Sequence, residues 1–373
     1  MRIVPCSAAL LIAAQSLLAS CGDPKGVALD AVVADAKLFD DAPIDAADPN
    51  NPATLFDTGL CVDRACTAVN ADIHEYTPQF ALWADTATKK RWYWVPPGTQ
   101  IDTTDMDHWD FPVGAKFWKE FSRDGVRVET RLEMRIGAGT TVQSWLYTTY
   151  AWNDTQTDTT KAPTAGVQNA NGTQHDIPSQ FACRGCHENF APTRVLGFGA
   201  IELDHPAGMP GNADDTTLAS LVAAGTLTAN PAAPASVGAP SYPIQGTEVQ
   251  KAGLGYVFAN CSHCHNPASS VYFNVPMALR MTVATVGNKA TSLPYLTAVD
   301  HYAHQPTGLV APNCTTPNNM PAECIIDSGD PMNSDLIKHF IADPASNLHM
   351  PQLGSEMMDP DGLAILNAWI SNP

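Results

Sequence analysis

Basic residues and long hydrophobic runs are both scarce in this chain of 373 residues. Only 20 Lys and Arg oppose 38 Asp and Glu, which gives a formal net charge of −18 at pH 7. Because nucleic acid is itself a polyanion, we expect no nucleic-acid partner. The apolar stretch over residues 8–19 is interrupted by Gln15 and Ser16, so it is too short to indicate a membrane-spanning helix.

Signatures of several enzyme classes are also missing. The sequence has neither a nucleophile elbow nor a pair of carboxylates in an acid–base arrangement. Gly197-Phe198-Gly199 lacks the third glycine and the preceding strand of a dinucleotide-binding motif. An acidic cluster around His108 indicates a solvated loop, with metal binding as the alternative; it consists of Asp102, Asp105, Asp107 and Asp110. The sequence therefore predicts no catalytic residue.

The N-terminus has the features of an export signal. Arg2 precedes the apolar stretch, and residues 1–20 together are typical of a signal peptide. The segment Leu18-Ala19-Ser20-Cys21 resembles a bacterial lipobox, which implies lipidation of Cys21; ordinary cleavage with an unmodified Cys21 is the alternative. Residues 21–56 are rich in Asp, Ala and Pro and predict a disordered tether. We therefore expect a protein that is lipid-anchored in the cell envelope, on the periplasmic or outer-membrane face.

Residues 57–175 have the period-two pattern of a small antiparallel β-domain, either a sandwich or a barrel. Apolar and charged residues alternate over Val126–Ile136, and the charged face carries Arg127, Glu129, Arg131, Glu133 and Arg135. Asp124-Gly125 is a turn signal that makes Ala115–Ser122 the hairpin partner of this strand. Further strand-like segments are Arg91–Val95 and Gln143–Trp152, and a polar loop is predicted over Asp154–His175.

The β pattern stops after residue 175. Residues 176–240 contain a short predicted helix, Thr217–Ala224 with Asp214 or Asp215 as its cap, and then a Pro-rich linker. Residues 241–373 predict an all-α domain whose first helix opens with the capping box Thr247-x-x-Gln250. Later helices are predicted after Asp330-Pro331 and at Asp359-Pro360. The predicted fold class is therefore a multidomain β-then-α protein.

The strongest functional signal is C-x-x-C-H, which occurs as a first motif, Cys183-Arg184-Gly185-Cys186-His187, and a second motif, Cys261-Ser262-His263-Cys264-His265. Two thiols at this spacing can each add to one vinyl group of a haem, and the next imidazole then reaches the iron. We therefore expect two covalently attached c-type haems, one at each motif. Zinc ribbons and disulfides are the alternatives, but structural zinc is typical of chains kept reduced, and zinc leaves the trailing histidines unexplained.

Two other close pairs of cysteines remain in the exported chain. They are Cys61 with Cys66 and Cys314 with Cys324. Because oxidising compartments preserve disulfides, we expect both pairs to be bonded. Cys314 and Cys324 would then stabilise the long segment between the second motif and the end of the chain.

The second motif lies in a context that resembles a class I cytochrome c, over about residues 246–373. A helix with Gly253 leads into the motif, His349-Met350-Pro351 follows later, and Trp369 lies in the closing helix. The resemblance implies that His265 is the proximal iron ligand and Met350 the distal one, with His349, Met357 and Met358 as alternatives. His265 and Met350 are 85 residues apart, which is long for a minimal domain of this kind.

The first motif has no comparable Met-Pro loop after it. His187 is the expected proximal ligand of this haem. The candidates for the sixth ligand are Met209, which we favour, and His175, His205 and His108. An iron without a sixth protein ligand would instead permit catalysis or gas binding.

The order of segments over residues 75–373 resembles a family of predicted bacterial dihaem c-type cytochromes, often lipoproteins, with no settled role. Besides the two motifs, the resemblance rests on Asp110-Phe111-Pro112-Val113-Gly114, Tyr150-Ala151-Trp152-Asn153 and the segment from Asn260 to Pro267. It implies an exported, membrane-anchored electron carrier whose partner is a redox protein of unknown identity.

Two other functions remain open at this stage. One is a peroxidase-like dihaem oxidoreductase with an open first haem. The other is a β-domain that binds a polysaccharide or protein, with the haems as sensors. This last alternative requires tryptophans that are exposed and can stack on sugars. The candidates are Trp92, Trp94, Trp109, Trp118, Trp145 and Trp152.

Overall fold

The computed structural model describes residues 50–187, 195–302, 314 and 323–373. The predicted signal peptide, the predicted lipidation residue Cys21 and nearly all of the predicted tether lie outside the described residues. Within them, a six-stranded antiparallel sheet is followed by short helices that are joined by loops. No helix of the described part is both long enough and apolar enough to cross a membrane.

The sheet is a meander in which each strand pairs with its neighbours in sequence. Its strands are β1 (His74–Glu75), β2 (Thr88–Trp94), β3 (Lys116–Arg123), β4 (Val126–Arg135), β5 (Trp145–Trp152) and β6 (Thr159–Lys161). The four long strands overlap the predicted segments, and β2 begins three residues earlier than predicted. The short strands β1 and β6 were not predicted, because two or three residues are too few to show an alternating pattern.

The predicted sandwich or barrel is wrong, because the described strands form one open sheet in the order β1 to β6. Loops and helices cover this sheet instead of a second one. One face carries Trp118 and Trp152 and packs against Leu55 of the N-terminal segment. The other face carries Phe117, which packs against Phe198 beyond the first motif. An alternating pattern indicates that a strand face is buried, but it does not indicate what covers that face.

β3 and β4 are joined by the tight turn that the sequence predicts. Asp124 and Gly125 both have positive φ, 53° and 81° respectively. This is the conformation of a type I′ turn, whose twist matches that of the flanking strands. The resulting pairing aligns Lys119 with Arg131 and Phe117 with Glu133. Because side chains alternate along a strand, Glu129, Arg131, Glu133 and Arg135 of β4 lie on one face of the sheet. The predicted charged face also included Arg127, but a register shift between Phe121 and Ser122 places Arg127 on the other face, 3.5 Å over the ring of Trp152.

Short helices make up most of the remaining regular structure. They are α1 (Gln180–His187), α2 (Ala200–Leu203), α3 (Leu218–Ala223), α4 (Glu248–Asn260), α5 (Leu293–Thr297), α6 (Asp335–Phe340) and α7 (Pro360–Ile370). α4 begins with the predicted capping box of Thr247 and Gln250, and α7 begins after the predicted cap Asp359. These caps satisfy backbone N–H groups that have no partner within the first turn of a helix.

The start of α3 differs from the prediction. Its cap is Thr217 rather than Asp214 or Asp215. The Thr217 hydroxyl accepts the backbone N–H of Ser220, and the Ser220 hydroxyl accepts the backbone N–H of Thr217. A reciprocal pair of this kind satisfies two helix donors at once, which a single aspartate upstream would not do.

α4 and α7 cross at very close range. A methyl group added to Gly253 in α4 would overlap Cβ and Cγ of Trp369 in α7, and one added to Gly362 in α7 would overlap the ring of Tyr256. Trp369 is fully buried, and the Tyr256 hydroxyl donates a hydrogen bond to Asp359 at 3.0 Å. The end of α4 carries the second motif, so this crossing fixes where that motif lies.

We predict that Gly253→Ala lowers the free energy of unfolding. Alanine is a better helix former by about 1 kcal/mol, but overpacking a buried contact costs up to about 3 kcal/mol, and Trp369 Cβ cannot rotate away. We expect a net loss of about 2 kcal/mol in urea denaturation. Ala252→Ser, on the exposed side of the same helix, is the control and should change stability by less than about 0.5 kcal/mol. Equal stability of the two variants would contradict the close crossing.

Candidate functional site

A cavity of about 930 Å³ lies between the charged face of the sheet and the two C-x-x-C-H motifs. Its volume falls in the range of small-molecule and cofactor sites, about 300–1,000 Å³. Its wall includes Lys119, Arg131 and Glu133 from the sheet, Cys183, Cys186 and His187 from the first motif, and Ser262 and His263 from the second. The structure thus brings the two predicted motifs to one place, although they are far apart in sequence.

The first motif lies within the helix α1. Residues three and four apart share a face of a helix, so Cys183, Cys186 and His187 all point to the same side. All three are half-buried and line the cavity. Burial, together with the neighbouring thiols of Cys264 and Cys183, raises the pKa of Cys186 to about 12. The Cys186 thiol is therefore protonated at neutral pH and lies close to a cysteine of the second motif.

The second motif continues directly from the C-terminus of α4. The backbone N–H of Cys261 donates to Val257, and that of His265 donates to Cys261, both at 2.9 Å. His265 is only 8% exposed, and its Nδ1 has no hydrogen-bond partner among the described residues. Burial, with a smaller contribution from His339, lowers the pKa of His265 to about 4. The imidazole is thus neutral, the state that can bind a metal.

Met350 is hydrogen-bonded to His339 of α6. Its backbone N–H donates to the carbonyl of His339 at 3.1 Å, and the ring of His339 acts electrostatically on His265. The adjacent His349 is buried, and its Nδ1 donates to Ala342 at 3.1 Å. The loop that holds Met350 also reaches the first motif, because a methyl group on Gly185 would lie 2.6 Å from Cδ1 of Leu353.

The two alternatives to Met350 in the same loop have other structural roles. Met357 is partly exposed, and its backbone carbonyl accepts a hydrogen bond from the Trp83 indole at 2.9 Å. Met358 packs against the core formed by α4 and α7.

The structure separates the four candidates for the sixth ligand of the first site. His175 lines the cavity and is buried. Met209, the favoured candidate, is 70% exposed and is absent from the cavity wall. His205 and His108 also lie outside that wall; Nδ1 of His108 is 2.9 Å from Oδ2 of Asp105. The structure therefore keeps Met209 away from the cavity that the first motif lines, whereas His175 lines that same cavity.

A buried ion network lines the sheet side of the cavity. Glu129 is fully buried and lies 2.5 Å from the guanidinium of Arg131 and 2.8 Å from Nε2 of His175. The guanidinium of Arg131 also lies over the ring of Phe121, 4.1 Å from its centroid. Burial alone would raise the pKa of Glu129, but Arg131 and His175 outweigh burial and lower it. Glu129 is therefore ionised, and it ties His175 to the sheet.

A second carboxylate on the same face lies behind the first motif. Oε1 of Glu133 accepts a hydrogen bond from Nζ of Lys119 at 2.8 Å, and its Oε2 lies 3.5 Å from Nδ1 of His187. Burial acts to raise the pKa of Glu133, but Lys119 and then His187 lower it. The ring of Tyr147 packs against His187 with 4.8 Å between centroids. None of these contacts of His187 was predicted, because they join residues distant in sequence.

The other described cysteines and Asp107 of the acidic cluster have structural partners. The predicted disulfides Cys61–Cys66 and Cys314–Cys324 are present, with Cα–Cα distances of 4.8 and 5.1 Å. In the acidic cluster, Asp107 accepts the backbone N–H of Val283 at 2.9 Å. Within the described ranges, no group of three or more His, Cys, Asp and Glu side chains is arranged to hold a metal ion, as a zinc ribbon would require.

Comparisons of this chain with protein-family models, with curated proteins and with solved structures found no match.

We predict that Glu129→Gln destabilises the protein strongly. Removing one member of a buried ion pair leaves the charge of Arg131 uncompensated, which costs on the order of 3 kcal/mol. The matched control is Glu248→Gln, which breaks the exposed ion pair with Lys251 and should cost less than about 1 kcal/mol. Urea denaturation at pH 7 compares the two. A similar small effect of both substitutions would show that Glu129 is not held in a buried pair.

The same variant should change how stability depends on pH. Because the pKa of folded Glu129 is lowered, its stabilisation is complete at neutral pH and is lost as the pH falls below the ordinary glutamate value of 4.5. Wild-type protein should therefore lose stability more steeply in acid than Glu129→Gln.

Proposed function

We propose that this protein is an exported c-type cytochrome that carries two covalently attached haems and transfers electrons. The observation that carries the proposal is that both C-x-x-C-H motifs reach one cavity: the first lines it with Cys183, Cys186 and His187, and the second with Ser262 and His263. Cys183 and Cys186 would attach one haem and Cys261 and Cys264 the other, with His187 and His265 as iron ligands. When bound, the haems supply the one-electron chemistry, and the chain supplies ligands, orientation and burial.

The donor atoms in the two motifs fit this group. The four motif cysteines are not in disulfides, unlike the other described cysteines. Burial keeps His265 neutral, so that a ring nitrogen is available to a metal. The cavity is bounded by aromatic and apolar side chains as well as charges, including Phe121, Tyr147 and Leu353. A flat apolar ring with polar edges is compatible with such a lining.

We further propose that residues 241–373 form a cytochrome c-like domain in which Met350 is the second ligand of the iron bound by His265. Two features support this: the close crossing of α4 and α7 through Gly253 and Trp369, and the contact of the Met350 loop with His339. Methionine ligation raises the potential of a haem and closes the iron to small ligands.

The proximity of the two motifs supports electron exchange within one chain. The thiols of Cys186 and Cys264 are close enough to affect each other electrostatically. The loop after Met350 contacts the first motif at Gly185. A lipid anchor at Cys21 and a separate redox protein as partner complete the proposal.

A second candidate function is a peroxidase-like oxidoreductase with an open first iron. The observation that favours it is that His175 and Arg131, two polar groups held by Glu129, line the cavity beside the first motif. The β-domain binding role gains no support, because its tryptophans are in the core: five of the six are at most 6% exposed, and Trp94 is half-buried.

The carrier proposal predicts that the reduced protein does not bind carbon monoxide. If both irons have two protein ligands, neither has a free position. Protein from cells with c-type haem maturation machinery would be reduced with dithionite, and its difference spectrum with carbon monoxide recorded. Binding by half of the haem would overturn the carrier proposal in favour of the open-iron oxidoreductase.

We predict that Met350→Ala lowers the reduction potential of one haem and leaves the other unchanged. Loss of the thioether removes the ligand that favours the reduced iron. A redox titration with optical detection measures both midpoints. Met357→Ala, a partly exposed methionine of the same loop, is the control and should shift neither. An unchanged titration in Met350→Ala would exclude Met350 as a ligand.

A further inference from the structure

The proximal histidines of the two motifs have different surroundings. Nδ1 of His187 lies 3.5 Å from Oε2 of Glu133. This oxygen accepts no hydrogen bond from any described residue. Nδ1 of His265 is buried, and no described residue accepts a hydrogen bond from it. The two motifs are identical in pattern, so the difference comes from the sheet and not from the motifs.

We propose that Glu133 is a positioning residue that accepts the Nδ1 proton of His187 in a hydrogen bond and makes the first haem the one of lower potential. This inference rests on the proposed haem attachment. Glu133 would fix the orientation of the imidazole and increase its donation to the iron through Nε2.

The geometry of Glu133 suits this role. Nζ of Lys119 donates a hydrogen bond to Oε1 of Glu133 at 2.8 Å, and the other carboxylate oxygen, Oε2, lies next to Nδ1 of His187. Side chains of Lys119, Glu133 and His187 are 12%, 6% and 13% exposed, so water competes little for the contact. A separation of 3.5 Å is long for a hydrogen bond, and such contacts commonly shorten when the ligand is bound. Tyr147 packs on the imidazole and limits its rotation.

The consequence for the potential follows from the charge on the iron. A histidine that donates its second N–H to a carboxylate is a more basic ligand. A more basic ligand stabilises the oxidised iron, which carries the extra positive charge, and so lowers the reduction potential. His265 lacks such an acceptor in the described part of the chain, and its proposed partner Met350 acts in the opposite direction. Electrons would then move from the first haem to the second.

The test is a redox titration of Glu133→Gln in the full protein with both haems attached. The lower midpoint should rise, and the upper midpoint, assigned by its response to Met350→Ala, should stay in place. Electron paramagnetic resonance of the oxidised protein gives a second readout, because the g-values of one iron should change when its histidine loses the carboxylate. A purely structural role of Glu133 would not shift one midpoint and one set of g-values selectively.

Two further variants separate the hydrogen bond from charge and from folding. Glu120→Gln removes a buried carboxylate from β3 on the opposite face of the sheet, so it should leave the g-values of the His187 iron unchanged. The double variant Lys119→Met, Glu133→Gln removes both charges of the pair, so the net charge is unchanged and no buried charge lacks a partner. The lower midpoint should rise in this variant too.

The outcomes distinguish this inference from the function on which it rests. If both haems attach but Glu133→Gln and the double variant leave the lower midpoint and the g-values unchanged, Glu133 has no such role and the dihaem assignment stands. A rise of the upper midpoint instead would also overturn the inference. If the wild-type chain carries no covalent haem, the proposed function itself fails.

Discussion

Burial of the charged face of β4 is the constraint on which the rest of the structure depends. Isolated carboxylates are too costly to leave buried without partners, so Glu129 and Glu133 must each be compensated. Arg131 and Lys119 come from the sheet itself, but His175 and His187 come from the chain that follows it. Satisfying these carboxylates therefore draws the segment that contains the first motif onto the sheet and creates the cavity between them.

A second constraint, the close crossing of α4 and α7, places the other motif. Gly253 allows Trp369 to approach the backbone of α4, and the motif that follows α4 is thereby held beside the cavity. The loop that contains Met350 contacts His339 through the Met350 backbone and the first motif through Leu353 at Gly185. One loop can thus influence both sites, and the two proposed haems would be neighbours within a single chain.

The sequence predicted well those structural features that depend on residues close together in the chain. The long strands, the Asp124-Gly125 turn, the caps of α4 and α7 and the two motifs all follow from patterns a few residues long. The contacts of Glu133 with His187 and of Glu129 with His175 join residues 54 and 46 positions apart, and no local pattern indicates them. The alternating charges of β4 predict one charged face, but they do not indicate that this face is buried or which residues compensate its carboxylates. His175 was not preferred over Met209 for the same reason, since only tertiary structure separates a cavity residue from an exposed one.

The most direct test of the central claim is the mass of the intact, denatured chain after expression with c-type haem maturation machinery. Denaturation removes any cofactor that is bound without a covalent bond, so only thioether-linked haem adds to the mass. We expect two haems on the wild-type chain, one after Cys183→Ser with Cys186→Ser, and one after Cys261→Ser with Cys264→Ser. A wild-type chain of unmodified mass at its motif cysteines would contradict the account.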